Sequence, residues 1–106
     1  MNLAQRNEFF QERMTEILSL AASKGAVYSK QTNALSNFYD QAKRSNLSPF
    51  QVWLIFFEKH VAAIENAIIN DPFYPIELTE SMNGRINDAI AYLLILSALL
   101  EAPKCP

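Results

Sequence analysis

The chain has 106 residues, half of them hydrophobic and 19% charged, with nine basic against eleven acidic side chains and a formal charge of −2. That length suits one domain and leaves no space for a separate catalytic module. Intrinsic disorder is excluded, because its low hydrophobicity and high net charge are both missing, and so is bulk electrostatic binding of duplex nucleic acid, which needs a concentrated positive surface. Half apolar is a large share for so small a domain. It predicts either a richly supplied core or apolar surface kept for a partner subunit.

The single cysteine, Cys105, sits next to the last residue, where it can build neither an intrachain disulfide nor a structural zinc site. The opening residues, Met-Asn-Leu-Ala-Gln-Arg-Asn-Glu, are too polar for a signal peptide. The longest apolar run, Ala89 to Leu100, is bracketed by Asp88 and Glu101 and has 12 residues, against the ~20 a bilayer requires. The expectation is a soluble, cytoplasmic, single helical domain over residues 1–102 with a tail over 103–106, and no membrane partner.

Two glycines and five prolines divide the chain. Asn2 to Lys24 carries Leu3, Phe10, Met14, Ile17, Leu18 and Ala21 at helical spacing, with Gly25 as a natural stop and Gly25 to Ser29 as a connector. A second, shorter helix is predicted over about Gln31 to Arg44, with Leu35, Phe38 and Tyr39 inward and Ser45-Asn46-Leu47 as its turn. Ser48-Pro49-Phe50-Gln51 is the sharpest local signal: a capping serine, a proline at the first helical position and a glutamine that completes a capping box. That helix should reach about Asn70, where Asp71-Pro72-Phe73-Tyr74-Pro75 forbids continuation. Thr79 is the candidate cap of the last helix, which should run to about Glu101. No strand pattern or repeat is present, so the fold class is all-α: a bundle of three long helices and one shorter one.

On the third helix Trp53, Phe57, His60, Ile64 and Ile68 form a stripe flanked by Val52, Phe56 and Ala63, and Val52 to Phe57 is apolar around most of the circumference. Ala89 to Leu100 has the same character. Helices apolar all round are buried on more than one side, enclosed by the other helices or by a second subunit, and the expectation favours a homo-oligomer over a monomer.

Catalytic signatures are sparse. Only Gly25 and Gly84 exist, so there is no glycine-rich phosphate loop, and a nucleophilic pair would have to join His60 to Cys105. Three sets of side chains remain. Glu80, Gly84, Asp88 and Tyr92 recur every fourth residue and so lie along one helical stripe, with Arg85 beside them. Gly84 costs roughly 1 kcal/mol against alanine inside a helix, which points to a close approach or to a later helix start. Glu58, Lys59 and His60 form the second set; a lone histidine on an apolar stripe is also an ordinary satisfied core residue. Lys24, Tyr28 and Lys30, with Asn37-Phe38, form the third, suited to phosphate and base contacts or to plain surface.

The pattern Lys24-x3-Tyr28, Asn37-Phe38, a Pro49-opened helix with Lys59-His60, and Glu80-Ser-Met-x-Gly-Arg-Ile-x-Asp88-x3-Tyr92-Leu-Leu resembles small phage-encoded proteins of the nucleotide-modification-associated group. These are distant relatives of the MazG-like nucleotide pyrophosphohydrolases. The resemblance spans Ser23 to Glu101 and implies an oligomeric all-α bundle in which acids on facing helices hold magnesium against a nucleoside triphosphate. It leaves Glu80 and Asp88 as the surviving acids of the last helix and Glu58 as the nearest acid on the facing helix, metal ligands if the chain is a hydrolase. Gly84 stands where the hydrolytic relatives place a further acid, Val27 where one precedes Tyr28, and Glu58 and Glu65 do not form the paired motif. Fewer acids mean weaker magnesium binding and loss of a two-metal clamp.

Three functional expectations follow. The first is a phage-type protein, active in the host cytoplasm, that binds a nucleotide or nucleotide-derived signal without hydrolysing it and without a cofactor. Lys24, Lys59, His60 and Arg85 would contact phosphate, Tyr28, Trp53 or Tyr92 would flank the base, and sequestration as counter-defence would be the role. The second is a magnesium-dependent pyrophosphohydrolase using Glu58, Glu80 and Asp88. The third is an interaction module that presents apolar surface to a host protein.

Overall fold

The computed structural model describes residues 1–28, 34–76 and 81–104, with the backbone alone for 25–28. Four α-helices follow one another: α1 Leu3–Tyr28, α2 Ser36–Ser45, α3 Pro49–Asn70 and α4 Met82–Glu101, the last continuing into a 3-10 turn over Ala102–Lys104. Among the described residues there is no strand, so the all-α expectation of three long helices and a shorter one holds.

Local chemistry explains most boundaries. At the start of α1, Asn2 Oδ1 accepts from the Gln5 backbone N–H while Gln5 Oε1 accepts from that of Asn2, both at 2.9 Å. This reciprocal pair satisfies two donors that a helix start leaves open. The expected stop at Gly25 does not occur. The helix runs on to Tyr28, since one glycine costs only about 1 kcal/mol and Ala26, Val27 and Tyr28 continue the turn. The second helix begins at Ser36, later than the periodicity suggested, and residues 29–33 lie outside the described ones. It closes on Asn46 in the left-handed region (φ 55°), with the Leu47 N–H reaching back to the Ala42 carbonyl at 2.9 Å. Asparagine tolerates that conformation better than most side chains.

The capping box of α3 is complete: Ser48 Oγ accepts from the Gln51 N–H at 3.1 Å and Gln51 Oε1 accepts from the Ser48 N–H at 2.8 Å. Replacing Ser48 by alanine is therefore expected to lower unfolding stability by about 0.5–2 kcal/mol, read from urea titration by circular dichroism. An unchanged midpoint would mean that the box adds nothing beyond Pro49. After α3, Asp71 Oδ1 accepts from the N–H groups of Phe73 and Tyr74 (3.2 and 3.1 Å), which turns the chain and leaves Phe73 almost fully in water.

Thr79 lies outside the described residues, and α4 is capped instead by Ser81, whose Oγ accepts from the Gly84 N–H at 2.9 Å. Gly84 thus sits in the first turn, where its interior penalty largely lapses. The later helix start, one of its two sequence explanations, is the one found.

The core lies between α2, α3 and α4. Phe38, Ala42, Val52, Trp53 and Leu99 are buried together, with Leu35, Tyr39, Phe56, Phe57, Tyr92, Ile95 and Leu96 packed around them. Phe38 meets Phe56 and Tyr92 edge-on, with centroids 6.4 and 6.3 Å apart. Helix α1 joins through α4. Of its six expected inward residues only Ile17 is buried (1% exposed), while Leu3, Phe10, Met14 and Leu18 face water. Leu54 and Ile55 of α3 and Leu93, Leu94 and Leu100 of α4 are exposed as well. One chain alone therefore does not cover the two all-round apolar helices. The segment Met82–Lys104 is, by length and composition, long and apolar enough to cross a membrane, because helical structure carries the 12-residue apolar run beyond both ends. A central helix of a bundle meets the same description.

Candidate functional site at the junction of α1, α3 and α4

Three helices bring polar side chains to one place. From α1, Lys24 Nζ lies 2.6 Å from Asp88 Oδ1 on α4. From α3, His60 Nδ1 lies 3.9 Å from the other oxygen, Asp88 Oδ2, and is itself buried. The imidazole ring tilts against that of Tyr92, with centroids 5.1 Å apart. Asp88 thus sits between an ammonium and an imidazole, with its side chain only 17% exposed. Arg85, Asp88 and Tyr92 fall three and four residues apart on α4 and so share its inner face. Arg85 is half-buried, with its Nε shielded from solvent.

A second polar contact lies further along α1. Arg13 donates to Asn87 Oδ1 through one guanidinium nitrogen and pairs with Glu16 Oε2 through the other at 2.7 Å. Asn87 is buried, so this bond satisfies an amide that would otherwise lose its solvation. The sequence held a signal for it: Arg13 stands four residues before Ile17, on the side of α1 that meets α4.

The predicted site residues separate into groups. Lys24, His60, Asp88 and Tyr92 are in contact, and Arg85 shares their α4 face. Lys59, adjacent to His60 in sequence, is exposed and places its Nζ 5.4 Å from the Phe56 ring centroid. Consecutive helical residues project about 100° apart, and only one of them can face the junction. Glu58 is likewise exposed. Trp53 belongs to the core: its ring stacks on Phe57 at 4.7 Å and 13°, and its Nε1–H donates to the Tyr92 carbonyl at 2.5 Å. Both demands of an indole, packing for its faces and an acceptor for its N–H, are met inside the protein, so no face remains for a base. Asn37 is exposed while Phe38 is core. Glu80, Lys30, Cys105 and the side chain of Tyr28 lie outside the described residues.

Chemically, the junction offers cations and a tautomeric ring around one carboxylate. Among the described residues no three His, Cys, Asp or Glu side chains come together to hold a metal ion. No protein-family model matches this chain, and no curated protein or solved structure matches it either.

Proposed function

We propose that this protein binds a nucleotide or nucleotide-derived signal through its phosphate at the α1–α3–α4 junction, without hydrolysing it. The observation that carries this reading is the convergence of Lys24, His60, Asp88 and Tyr92 from three helices, with Arg85 on the same α4 face. Lys24 supplies an exposed ammonium and Arg85 a fork of donors, while Tyr92 packs against the His60 ring beside them. Asp88 holds Lys24 and His60 together, and Lys24 would exchange part of its contact with Asp88 for the incoming phosphate. A site with one carboxylate among its described members binds an anion more readily than it builds a magnesium clamp. Together with the MazG-like resemblance, this reading makes sequestration of a nucleotide by a phage-type protein the proposed role.

Calorimetric titration of linear and cyclic nucleotides, with and without magnesium, tests it. At least one nucleotide should bind, and Arg85→Ala and Lys24→Ala should each weaken it by about 10- to 100-fold, the worth of one charge-assisted hydrogen bond. Folded protein that takes up none of the panel would overturn the reading. Magnesium-dependent release of pyrophosphate, abolished by Asp88→Ala and Glu80→Ala, would replace it with the hydrolase.

A further inference from the structure

Part of the exposed apolar surface of α1 and α4 follows a regular spacing, while Phe9, Leu18, Leu20 and Leu94 are exposed beside it. On α1, Leu3, Asn7, Phe10, Met14 and Ile17 follow alternating steps of four and three residues, the seam spacing of packed helices. Only Ile17 of this stripe is buried in the chain itself; Leu3, Phe10 and Met14 are 64%, 55% and 36% exposed. On the outer side of α4, Ile86, Ile90, Leu93, Ser97 and Leu100 repeat the same steps, with Leu93 50% and Leu100 59% exposed. That second stripe carries no charge along ~21 Å of helix, and the exposed part of the first extends over ~17 Å. Two seams of matching step and similar length therefore face water on one molecule.

We infer that a second copy of this chain covers them, the N-terminal half of α1 of each copy lying on the outer α4 seam of the other. Area supports this occupant. The chain exposes 7908 Å², about 1,900 Å² more than a compact monomer of its mass, whereas a standard interface needs only ~800 Å² from each partner. Its radius of gyration, 15.9 Å, exceeds the ~13 Å of a compact chain of this length. Continuity supports it too, because Ile17 shows the α1 stripe already using α4 as its cover within one copy. The rest of α1 carries charges of both signs, including Arg6, Glu8, Glu12, Arg13 and Glu16, which suits a partner surrounded by water rather than lipid. An exchange of this kind is two-fold symmetric and closes as a dimer. It is independent of the ligand reading.

The test uses Phe10→Lys and Leu93→Glu, both at exposed positions, with sedimentation velocity and circular dichroism as readouts. Wild type should sediment as a dimer. Each variant alone should raise the dissociation constant by at least ~100-fold, because each substitution enters the symmetric interface twice. Refolded together in equal amounts, the two variants should recover a dimer. The lysine introduced by Phe10→Lys in one copy then faces the glutamate introduced by Leu93→Glu in the other, and the second contact is wild type. Mixing also covers the case in which the separate variants fail to fold. A monomeric wild type, or one recovered only with phosphatidylcholine vesicles on flotation, overturns the inference. So does a dimer that resists Phe10→Lys (an α4–α4 interface) or Leu93→Glu (an α1–α1 interface), or a mixture that stays monomeric.

Discussion

Leu99→Ala is expected to cost about 2–5 kcal/mol of unfolding free energy, a large part of the total stability of so small a domain. Leu99 is 1% exposed and lies in the cluster formed by Phe38, Ala42, Val52 and Trp53. Truncation removes apolar surface from that cluster and leaves a cavity among side chains held by three helices, none of which can close in without disturbing the others. Loss of the α4 anchor should also loosen α1, whose attachment runs through α4. Urea denaturation followed by circular dichroism would show the midpoint fall. A shift below about 1 kcal/mol would mean that the site collapses freely and that the packing around Leu99 is not what holds α4 to α3.

Trp53 carries the second large effect, and two substitutions separate its parts. Trp53→Ala should cost about 3–5 kcal/mol, because it removes an indole buried between Phe57 and the α4 backbone. Trp53→Phe keeps most of the packing but removes the Nε1–H that donates to the Tyr92 carbonyl. That carbonyl lies inside α4 and keeps its helical donor, so the hydrogen bond itself should account for only about 0.5–1.5 kcal/mol. Equal losses in the two variants would show that the bond to Tyr92, rather than ring volume, dominates. The same pair bears on function. Because Trp53 is spent on the core, Trp53→Phe should leave nucleotide affinity within about twofold of wild type, whereas Arg85→Ala should not.

The elements were legible wherever their punctuation was chemical. Ser48-Pro49-Phe50-Gln51 announces a helix start because cap, proline and box partner act within four residues of one another, and the box is present in full. The end at Asn70 followed equally from the prolines beyond it. Gly25 misled because a glycine lowers helix stability without abolishing it, while the opposing preference of its neighbours is spread thinly along the chain. Ser81 rather than Thr79 caps α4 in a segment rich in candidate caps, where the choice depends on which hydroxyl meets a free N–H.

The candidate site was legible by register but not by contact. Asp88 and Tyr92 shared a stripe in the sequence, and His60 sat on the inner face of α3. That His60, Lys24 and Asp88 meet depends on how α1 and α3 pack on α4, with 28 to 64 residues of chain between the partners. No local rule spans that distance. Lys59 and Trp53 show the converse: adjacency and residue type suggested ligand contacts, and packing turned one outward and the other into the core.

Amino-acid composition and periodicity by themselves determined that the chain is helical, how many helices it has, and that half of its side chains are apolar, to be used in a core or on a surface. Those properties depend on side-chain spacing along one helix, which the order of residues states directly. Only the tertiary arrangement decided where those apolar side chains lie and which polar groups meet. Covering one face of a helix leaves another exposed, and the choice is made by the sum of contacts among all four helices. In this chain it placed Leu99 and Trp53 inside, gathered Lys24, His60 and Asp88, and left the seams of α1 and α4 in water.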